Sequence, residues 1–141
     1  MKKIEKIEIL LVEDDADDAE MTILAIKELD EDIKVIHLHN GVEALDFLLR
    51  KNKNINNLKV ILLDLKLPMV NGFEVLEKIK VNENTKTVPV VMLTSSTIEN
   101  DVRKAYQLHA NSYVIKPIGF EKYMDTVTNL VKYWKVFNKT F

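Results

Sequence analysis

Short apolar blocks alternate five times with longer segments whose apolar residues recur every three or four positions. The blocks cover residues 7–12, 34–38, 60–64, 88–94 and 112–115. The longer segments cover residues 17–29, 42–50, 73–81, 100–108 and 120–138. Strand-like blocks that alternate with helix-like segments predict right-handed crossovers and a parallel sheet covered by helices on both faces. The fold class is therefore predicted to be α/β and doubly wound.

Two of the blocks contain a stretch, residues 9–12 and residues 60–63, that is apolar at every position. This pattern is typical of central strands in a parallel sheet, which are buried on both faces. The chain has 141 residues and 47% of them are hydrophobic, which is enough to build one core. We therefore expect a single domain over residues 1–141, with its core at about residues 7–137.

The overall composition argues against several classes of partner. The 20 basic and 22 acidic residues give a net charge of -2, so no global positive field favours nucleic acid or an anionic membrane. There is no cysteine, which fits a reducing compartment. The apolar runs are far shorter than the roughly 20 residues that a membrane-spanning helix needs. The expectation is a soluble, cytoplasmic protein that binds neither nucleic acid nor membrane.

Charged and hydroxyl side chains stand where four of the blocks end. The first block is followed by Glu13 and Asp14, the third ends at Asp64, the fourth at Thr94, and the fifth is followed by Lys116. The carboxyl ends of parallel strands meet at one edge of an open sheet, and ligands collect there. The sequence therefore predicts that three carboxylates, a hydroxyl and an ammonium converge on one site.

This predicted cluster of carboxylates needs a compensating positive charge, because like charges at short distance raise one another's pKa and oppose folding. Magnesium is suited to the role, since it prefers oxygen ligands and is commonly held by one or two carboxylates together with water and phosphate oxygens. The predicted ligands are Asp14, Asp64 and the backbone carbonyl of Lys66. Glu13 is predicted to hold a water molecule of the ion.

Such a site suits phosphoryl transfer. A free oxygen of Asp64 would be placed to attack phosphorus, because catalysis of this reaction depends mainly on positioning and charge neutralisation. Thr94 is expected to donate a hydrogen bond to the phosphoryl group, and Lys116 to pair with its charge. Asp64 is therefore the predicted phosphoacceptor.

Four motifs, in this order and at this spacing, resemble those of the response regulator receiver domain. They read ILLVEDD over residues 9–15, LLDLKLP over 62–68, VMLTS over 91–95 and YVIKP over 113–117. The resemblance covers about residues 7–137, nearly the whole chain. Within the family, residues 111–117 and the pair Tyr133 and Trp134 are most similar to the small stand-alone regulators associated with bacterial phytochrome kinases.

The resemblance implies a flavodoxin-like fold with five strands in the order 2-1-3-4-5. It also implies a magnesium requirement and phosphorylation of Asp64 by a phosphohistidine on a sensor histidine kinase or a phosphotransfer protein. Tyr113 would be the rotameric switch that turns inward when Thr94 moves toward the phosphoryl group. The bond between Lys116 and Pro117 would be cis. The function expected is that of a phosphorelay response regulator without an output domain, which switches protein–protein contacts.

Other functions fit the residues less well. A magnesium-dependent phosphatase that works through an aspartyl-phosphate would need a second acid two residues after Asp64 as proton donor, and that position is Lys66. A flavin or nucleotide carrier would need a phosphate-binding loop after the first strand, where this chain has acids. The expectation is therefore a phosphoacceptor whose only catalysis is its own phosphorylation and dephosphorylation, and not an enzyme.

The last helical segment is longer than the sheet beneath it. Residues 120–138 would extend about 28 Å at 1.5 Å per residue, whereas a strand of five residues spans only about 17 Å. An inward stripe is continued by Val127, by Leu130 or Val131, and by Trp134. No cover within the chain is evident for the aromatic residues Tyr133, Phe137 and Phe141. Fraying is one explanation. The alternative is a homodimer through the fourth helix, the fifth strand and the fifth helix.

Overall fold

The structure is a computed structural model that describes residues 7–50 and 55–139. The strands are β1 (Ile9–Val12), β2 (Val35–Leu38), β3 (Val60–Leu63), β4 (Val90–Thr94) and β5 (Ser112–Ile115). The α-helices are α1 (Ala16–Leu29), α2 (Gly41–Arg50), α3 (Gly72–Val81), α4 (Glu99–Gln107) and α5 (Phe120–Lys132). A 3-10 turn, Ile55–Asn57, precedes β3, and a π-helical segment, Tyr133–Phe137, follows α5.

The five strands form one parallel sheet in the order β2-β1-β3-β4-β5, which confirms the predicted fold class and strand order. In the centre of the sheet, Ile9 pairs with Val35 on one side and with Val60 on the other. The chain crosses from β1 outward to β2, but from β3 outward to β4, so the order reverses between β1 and β3. Ligands of doubly wound sheets bind outside the carboxyl ends of the strands at such a point.

Each face of the sheet carries its own hydrophobic core. Helices α2, α3 and α4 cover the face to which Leu10 and Val12 point, and α1 and α5 cover the face of Ile9 and Leu11. All four of these strand residues are at most 1% exposed. Burial on both faces explains why β1 and β3 are apolar throughout. The same burial holds these central strands in place, and the polar residues follow at their carboxyl ends.

Three strands are one or two residues shorter at their start than predicted, although backbone pairing extends beyond these limits. The Glu8 N–H still donates to the Lys34 carbonyl at 3.0 Å, and the Ile61 N–H to the Pro89 carbonyl at 2.8 Å. At the other end of β3, the Asp64 N–H donates to the Val12 carbonyl at 3.2 Å. Asp64 is therefore held by the sheet although it lies one residue past the strand.

The last helical segment was predicted as one helix over residues 120–138, and it changes to π geometry after Lys132. Trp134 packs against the core of α1 and α5, as predicted. The ammonium of Lys135 lies 3.2 Å from a Glu8 carboxylate oxygen and 3.5 Å from one of Asp30. These contacts hold the overhanging turns against the body of the domain. None of the described helices combines the length and the apolar character required to cross a membrane.

Candidate functional site

Three acids from distant parts of the sequence meet at the carboxyl edge of the sheet. One carboxylate oxygen from each of Glu13, Asp14 and Asp64 lies within 4.8 Å of the others. Glu13 is 1% exposed and Asp64 7%, whereas Asp14 is exposed. The sequence placed all three at strand ends, and the structure brings them together. We call this set the acidic cluster.

The ammonium of Lys116 lies among buried carboxylates. Its Nζ is 2.6 Å from Glu13 Oε1, 2.9 Å from Asp64 Oδ2 and 2.8 Å from Asp18 Oδ2. The Lys116 side chain is only 7% exposed. A buried ammonium needs anionic partners, and Lys116 has three among the described residues.

Burial and charge shift two pKa values here in ways that fit this arrangement. Burial and the neighbouring Asp64 charge raise the pKa of Glu13, although Lys116 opposes the shift. Burial alone would lower the pKa of Lys116, but its hydrogen bonds to the three carboxylates outweigh burial and raise that pKa above its usual range. Lys116 is therefore a permanent cation at neutral pH.

The donor set fits a divalent cation. The site contains four carboxyl groups, those of the acidic cluster and of Asp18, and the ammonium of Lys116, so negative charge remains in excess even when Glu13, whose pKa is raised, carries a proton. The oxygens of the acidic cluster are the hard ligands that magnesium and manganese accept. Asp14 is exposed, so the acidic cluster is open to solvent on that side.

Gly72, the first residue of α3, holds the loop after Asp64 by direct backbone contact. Its N–H donates to the Leu65 carbonyl at 2.8 Å. A Cβ atom at position 72 would lie 2.2 Å from the Asp64 carbonyl oxygen and 2.7 Å from the Leu65 Cα. Only glycine permits this approach, which brings the start of α3 onto the backbone of Asp64.

We expect Gly72→Ala to lower the free energy of unfolding by about 3 kcal/mol, because the methyl group would overlap backbone atoms that have no room to move. The sign is informative, since Gly→Ala inside a helix usually stabilises by up to about 1 kcal/mol. Urea unfolding of both proteins measures the difference. Gly119→Ala is the matched control: the φ of Gly119 is +102°, but no atom of the described residues outside its chain neighbours lies within 4 Å of the added Cβ. The control should lose only about 1–2 kcal/mol from backbone strain. A Gly72→Ala protein as stable as the wild type would contradict the contact.

Thr94 and Tyr113 are connected through the backbone of Ser96. The Ser96 N–H donates to Thr94 Oγ1 at 3.3 Å, and the Tyr113 hydroxyl donates to the Ser96 carbonyl at 2.9 Å. The Ser96 hydroxyl donates to Asp101 Oδ2 at 2.6 Å, which ties this loop to α4. Thr94 is fully buried and Tyr113 half-buried. A shift of Thr94 would therefore disturb the hydrogen bonds of Ser96 to Tyr113 and to Asp101 on α4.

Two further predictions concerned the loops. Lys66 lies on the surface and its N–H is 3.4 Å from Asp64 Oδ1, while its carbonyl as a metal ligand stays a prediction. The prediction of a cis bond between Lys116 and Pro117 is wrong, because the described residues contain no cis peptide bond. Trans is intrinsically favoured by about 0.5–1 kcal/mol for X–Pro bonds. With the trans bond the Lys116 ammonium still reaches three carboxylates.

Sequence reasoning missed Asp18. From the sequence, Asp15, Asp17 and Asp18 are interpreted as charges at the N-terminus of the first helix, where the helix dipole favours acids. Asp15 is indeed the N-cap and accepts from the Asp18 N–H at 2.9 Å. The Asp18 carboxylate, however, turns to Lys116, 98 residues away in sequence. On β2, the Nε2 atom of His37 lies 2.8 Å from the Glu13 carbonyl oxygen.

The sheet order and the polar edge together define a class of protein. Residues 9–128 match the response regulator receiver domain, and the chain belongs to this family. Receiver domains of two-component signalling accept a phosphoryl group from histidine kinases or phosphotransfer proteins, so this chain is a phosphorelay response regulator.

Individual relatives cover nearly the whole chain. The probable methanogenesis regulatory protein FilR2 of Methanothrix harundinacea is 41% identical over 133 residues, which are 94% of this chain and 86% of the relative. Response regulator Rcp1 of Synechocystis is 38% identical over 128 residues, 89% of this chain and 87% of Rcp1. The crystal structure of Mn²⁺-bound Rcp1 superposes with a TM-score of 0.87 at 35% identity, covering 97% of this chain and 99% of that one. The phosphorylated cyanobacterial phytochrome response regulator RcpA gives 0.88 at 30% identity, with 96% and 99% covered.

Proposed function

We propose that Asp64 is the phosphoacceptor of this response regulator and that Mg²⁺ bound by the acidic cluster assists the transfer. The observation that carries the proposal is the position of Asp64. Its carboxylate is 7% exposed, belongs to the acidic cluster and lies 2.9 Å from the Lys116 ammonium. The proposed nucleophile, three carboxyl groups suited to a divalent ion and a permanent cation therefore lie together at the carboxyl edge of the sheet, and this arrangement supports the proposal. Asp14 and the Lys66 carbonyl would complete the ligands, with Glu13 holding a water molecule. The Mn²⁺ in the related Rcp1 structure supports this assignment.

The chain's residues divide the work of the transfer. When bound, the divalent ion would neutralise negative charge on the transferred phosphoryl group. An Asp64 oxygen forms the new bond to phosphorus, and the electron pair of the broken bond leaves with the imidazole or carboxylate of the donor. Lys116 turns from Asp64 to a phosphoryl oxygen, since the Asp64 carboxylate loses its charge in the reaction. The Thr94 hydroxyl donates a hydrogen bond to another phosphoryl oxygen.

The switch is proposed to run through Thr94, Ser96 and Tyr113. If Thr94 moves toward the phosphoryl group, its bond to the Ser96 N–H breaks, and the loop that carries the acceptor of the Tyr113 hydroxyl is released. Tyr113 then turns inward. Phosphorylation in this way biases two arrangements of the surface around α4 and β5. A differential affinity of a few kcal/mol is sufficient for such a switch.

We do not propose turnover of external phosphate esters. Lys66 occupies the position where an aspartyl-phosphate phosphatase would need its second acid, and its exposed ammonium is a poor general acid for an alcohol leaving group. Self-catalysed phosphorylation and dephosphorylation remain the proposed chemistry.

The proposed setting is the cytoplasm, because ATP is available there to the partner kinase. The whole described chain is proposed to act as one receiver domain, and its partners as proteins rather than nucleic acid or membrane.

Incubation with Mg²⁺ and acetyl phosphate tests the assignment. We expect an adduct that is stable in acid and labile to hydroxylamine, as an acyl phosphate is. Peptide mapping by mass spectrometry should place it on the peptide that contains Asp64. The assignment is wrong if the adduct maps to another residue, or if none forms with or without Mg²⁺.

A homodimer through α4, β5 and α5 is also proposed. Apolar side chains are exposed on β5, as Ile115 is at 46%, and on the π-helical segment that continues α5, as Tyr133 is at 50% and Phe137 at 67%. The π-helical segment that carries the last two is held to the domain by Lys135, so the surface is preformed. Exposed apolar surface of this kind is typical of an interface.

Light scattering tests the homodimer. At tens of micromolar protein, we expect phosphorylation to increase the dimer fraction, and Phe137→Ser to reduce it by removing apolar area from the interface. Leu24→Ser is the control, because this residue is 43% exposed on α1, outside the proposed interface. A wild-type protein that is monomeric in both phosphorylation states would exclude the homodimer.

A further inference from the structure

Lys116 has one carboxylate partner outside the acidic cluster. Glu13 and Asp64 belong to the cluster, whereas Asp18 is on the first turn of α1 and approaches the ammonium separately, at 2.8 Å. Its side chain is 27% exposed, compared with 1% for Glu13 and 9% for Asp64. Asp18 and Lys116 both line a cleft of about 300 Å³ that is continued by Ser95 and the start of α5. Asp18 therefore holds the lysine from the open side of the site.

The backbone of Asp18 is fixed by a buried contact between α1 and α5. The Thr22 hydroxyl donates to the Asp18 carbonyl at 2.8 Å and lies 2.8 Å from the Tyr123 hydroxyl. Thr22 is fully buried and Tyr123 is 2% exposed. The Asp18 N–H donates to the Asp15 side chain at 2.9 Å. Asp18 is thus held by hydrogen bonds at both its N–H and its carbonyl. Its carboxylate therefore reaches Lys116 from a backbone whose position is fixed.

We propose that Asp18 is a positioning residue, which keeps the Lys116 ammonium beside Asp64 while the phosphoryl group arrives. This inference rests on the proposed function of Asp64. The other two partners of Lys116 change their role during the reaction: Asp64 becomes a mixed carboxylic–phosphoric anhydride, and Glu13 would hold a water molecule of the bound divalent cation. Asp18 takes part in neither change. It therefore keeps one N–H of the ammonium in place and leaves another for a phosphoryl oxygen.

Removal of the Asp18 carboxylate would change the position of the Lys116 ammonium. Without this carboxylate, the partners of Lys116 are both in the acidic cluster, so the ammonium would be drawn inward, away from the incoming phosphoryl group. With acetyl phosphate, an Asp64 oxygen forms the bond to phosphorus, and acetate leaves with the electron pair of the broken P–O bond. No proton has to move, so the rate with this donor depends on charge and position alone.

The test compares Asp18→Asn with Asp17→Asn. Both changes remove one charge from the first turn of α1, but Asp17 is exposed and lies outside the contacts of Lys116. We expect Asp18→Asn to slow labelling by acetyl phosphate and Mg²⁺ about five- to tenfold, the effect of one partly exposed charge-assisted hydrogen bond. Asp17→Asn should label at the wild-type rate. In a Lys116→Met background, Asp18→Asn should have no further effect, because residues that act as one unit are not additive.

A second measurement does not depend on labelling. In the ¹⁵N-labelled protein without donor, the ammonium resonance of Lys116 should shift or broaden in Asp18→Asn and stay unchanged in Asp17→Asn. Equal labelling rates of Asp18→Asn and wild type, or an unchanged Lys116 resonance, would overturn the inference. An additive effect in the Lys116→Met background would do the same. A wild-type protein that forms no adduct would instead refute the proposed function, so the two failures are distinguishable.

Discussion

Asp64→Asn should abolish formation of the hydroxylamine-labile adduct, with a loss of at least about a hundredfold in labelling rate. The amide has no free carboxylate oxygen to bond to phosphorus, and positioned nucleophiles account for effects of this size. Intact-protein mass spectrometry after incubation with acetyl phosphate and Mg²⁺ measures it. The fold should survive, because the change removes one of several like charges that lie within a few ångströms of each other.

Asp17→Asn serves as the control for Asp64→Asn. Asp17 is exposed in the first turn of α1 and lies outside the acidic cluster, so its loss should leave the adduct in place. Urea unfolding of both variants separates a chemical loss from a loss of structure. If Asp64→Asn still carries a labile adduct at the wild-type level, another residue is the phosphoacceptor.

Lys116→Met should lower the free energy of unfolding by about 3–5 kcal/mol at neutral pH, in the absence of divalent ions. The Lys116 ammonium is 7% exposed and bonded to three carboxylates, and breaking a buried ion pair leaves charges without compensation. Millimolar Mg²⁺ should restore part of the loss, because the ion binds the folded state and replaces the missing positive charge.

Lys122→Met is the control for Lys116→Met, since Lys122 is exposed on α5. Surface substitutions of this kind usually change stability by less than about 0.5 kcal/mol. Urea unfolding with and without Mg²⁺ gives all the values required. A Lys116→Met protein as stable as wild type without metal would show that the carboxylates do not depend on the lysine for compensation.

Most of the fold was predictable because it follows from burial. Blocks such as residues 9–12 are apolar on both faces, and only a sheet covered twice by helices buries both faces. The acidic cluster was predictable for a related reason, since parallel strands end at the same edge. Glu13 and Asp64 lie one residue past β1 and β3, which are neighbours in the sheet.

Three features were not predictable because each depends on tertiary contacts. Asp18 reads as a helix N-terminal charge, a common role, and only the packing of α1 on α5 directs it to Lys116. The π geometry begins at Tyr133, within a segment whose sequence pattern predicts one continuous helix over residues 120–138. The isomer of the Lys116–Pro117 bond was transferred from the family resemblance, and the energy difference between isomers is too small for the local sequence to decide it.

Titration calorimetry with Mg²⁺ tests the central claim most directly, namely that acids from separate strand ends form one divalent cation site. We predict binding of one ion per chain to the wild-type protein. Asp14→Asn should weaken it at least about tenfold, because one charged ligand is lost from a small ligand set. Asp14 is exposed, so this change should leave stability nearly intact, and Asp17→Asn should bind as the wild type does. Absence of binding heat for the wild type at several temperatures, or equal affinity for Asp14→Asn, would contradict the account.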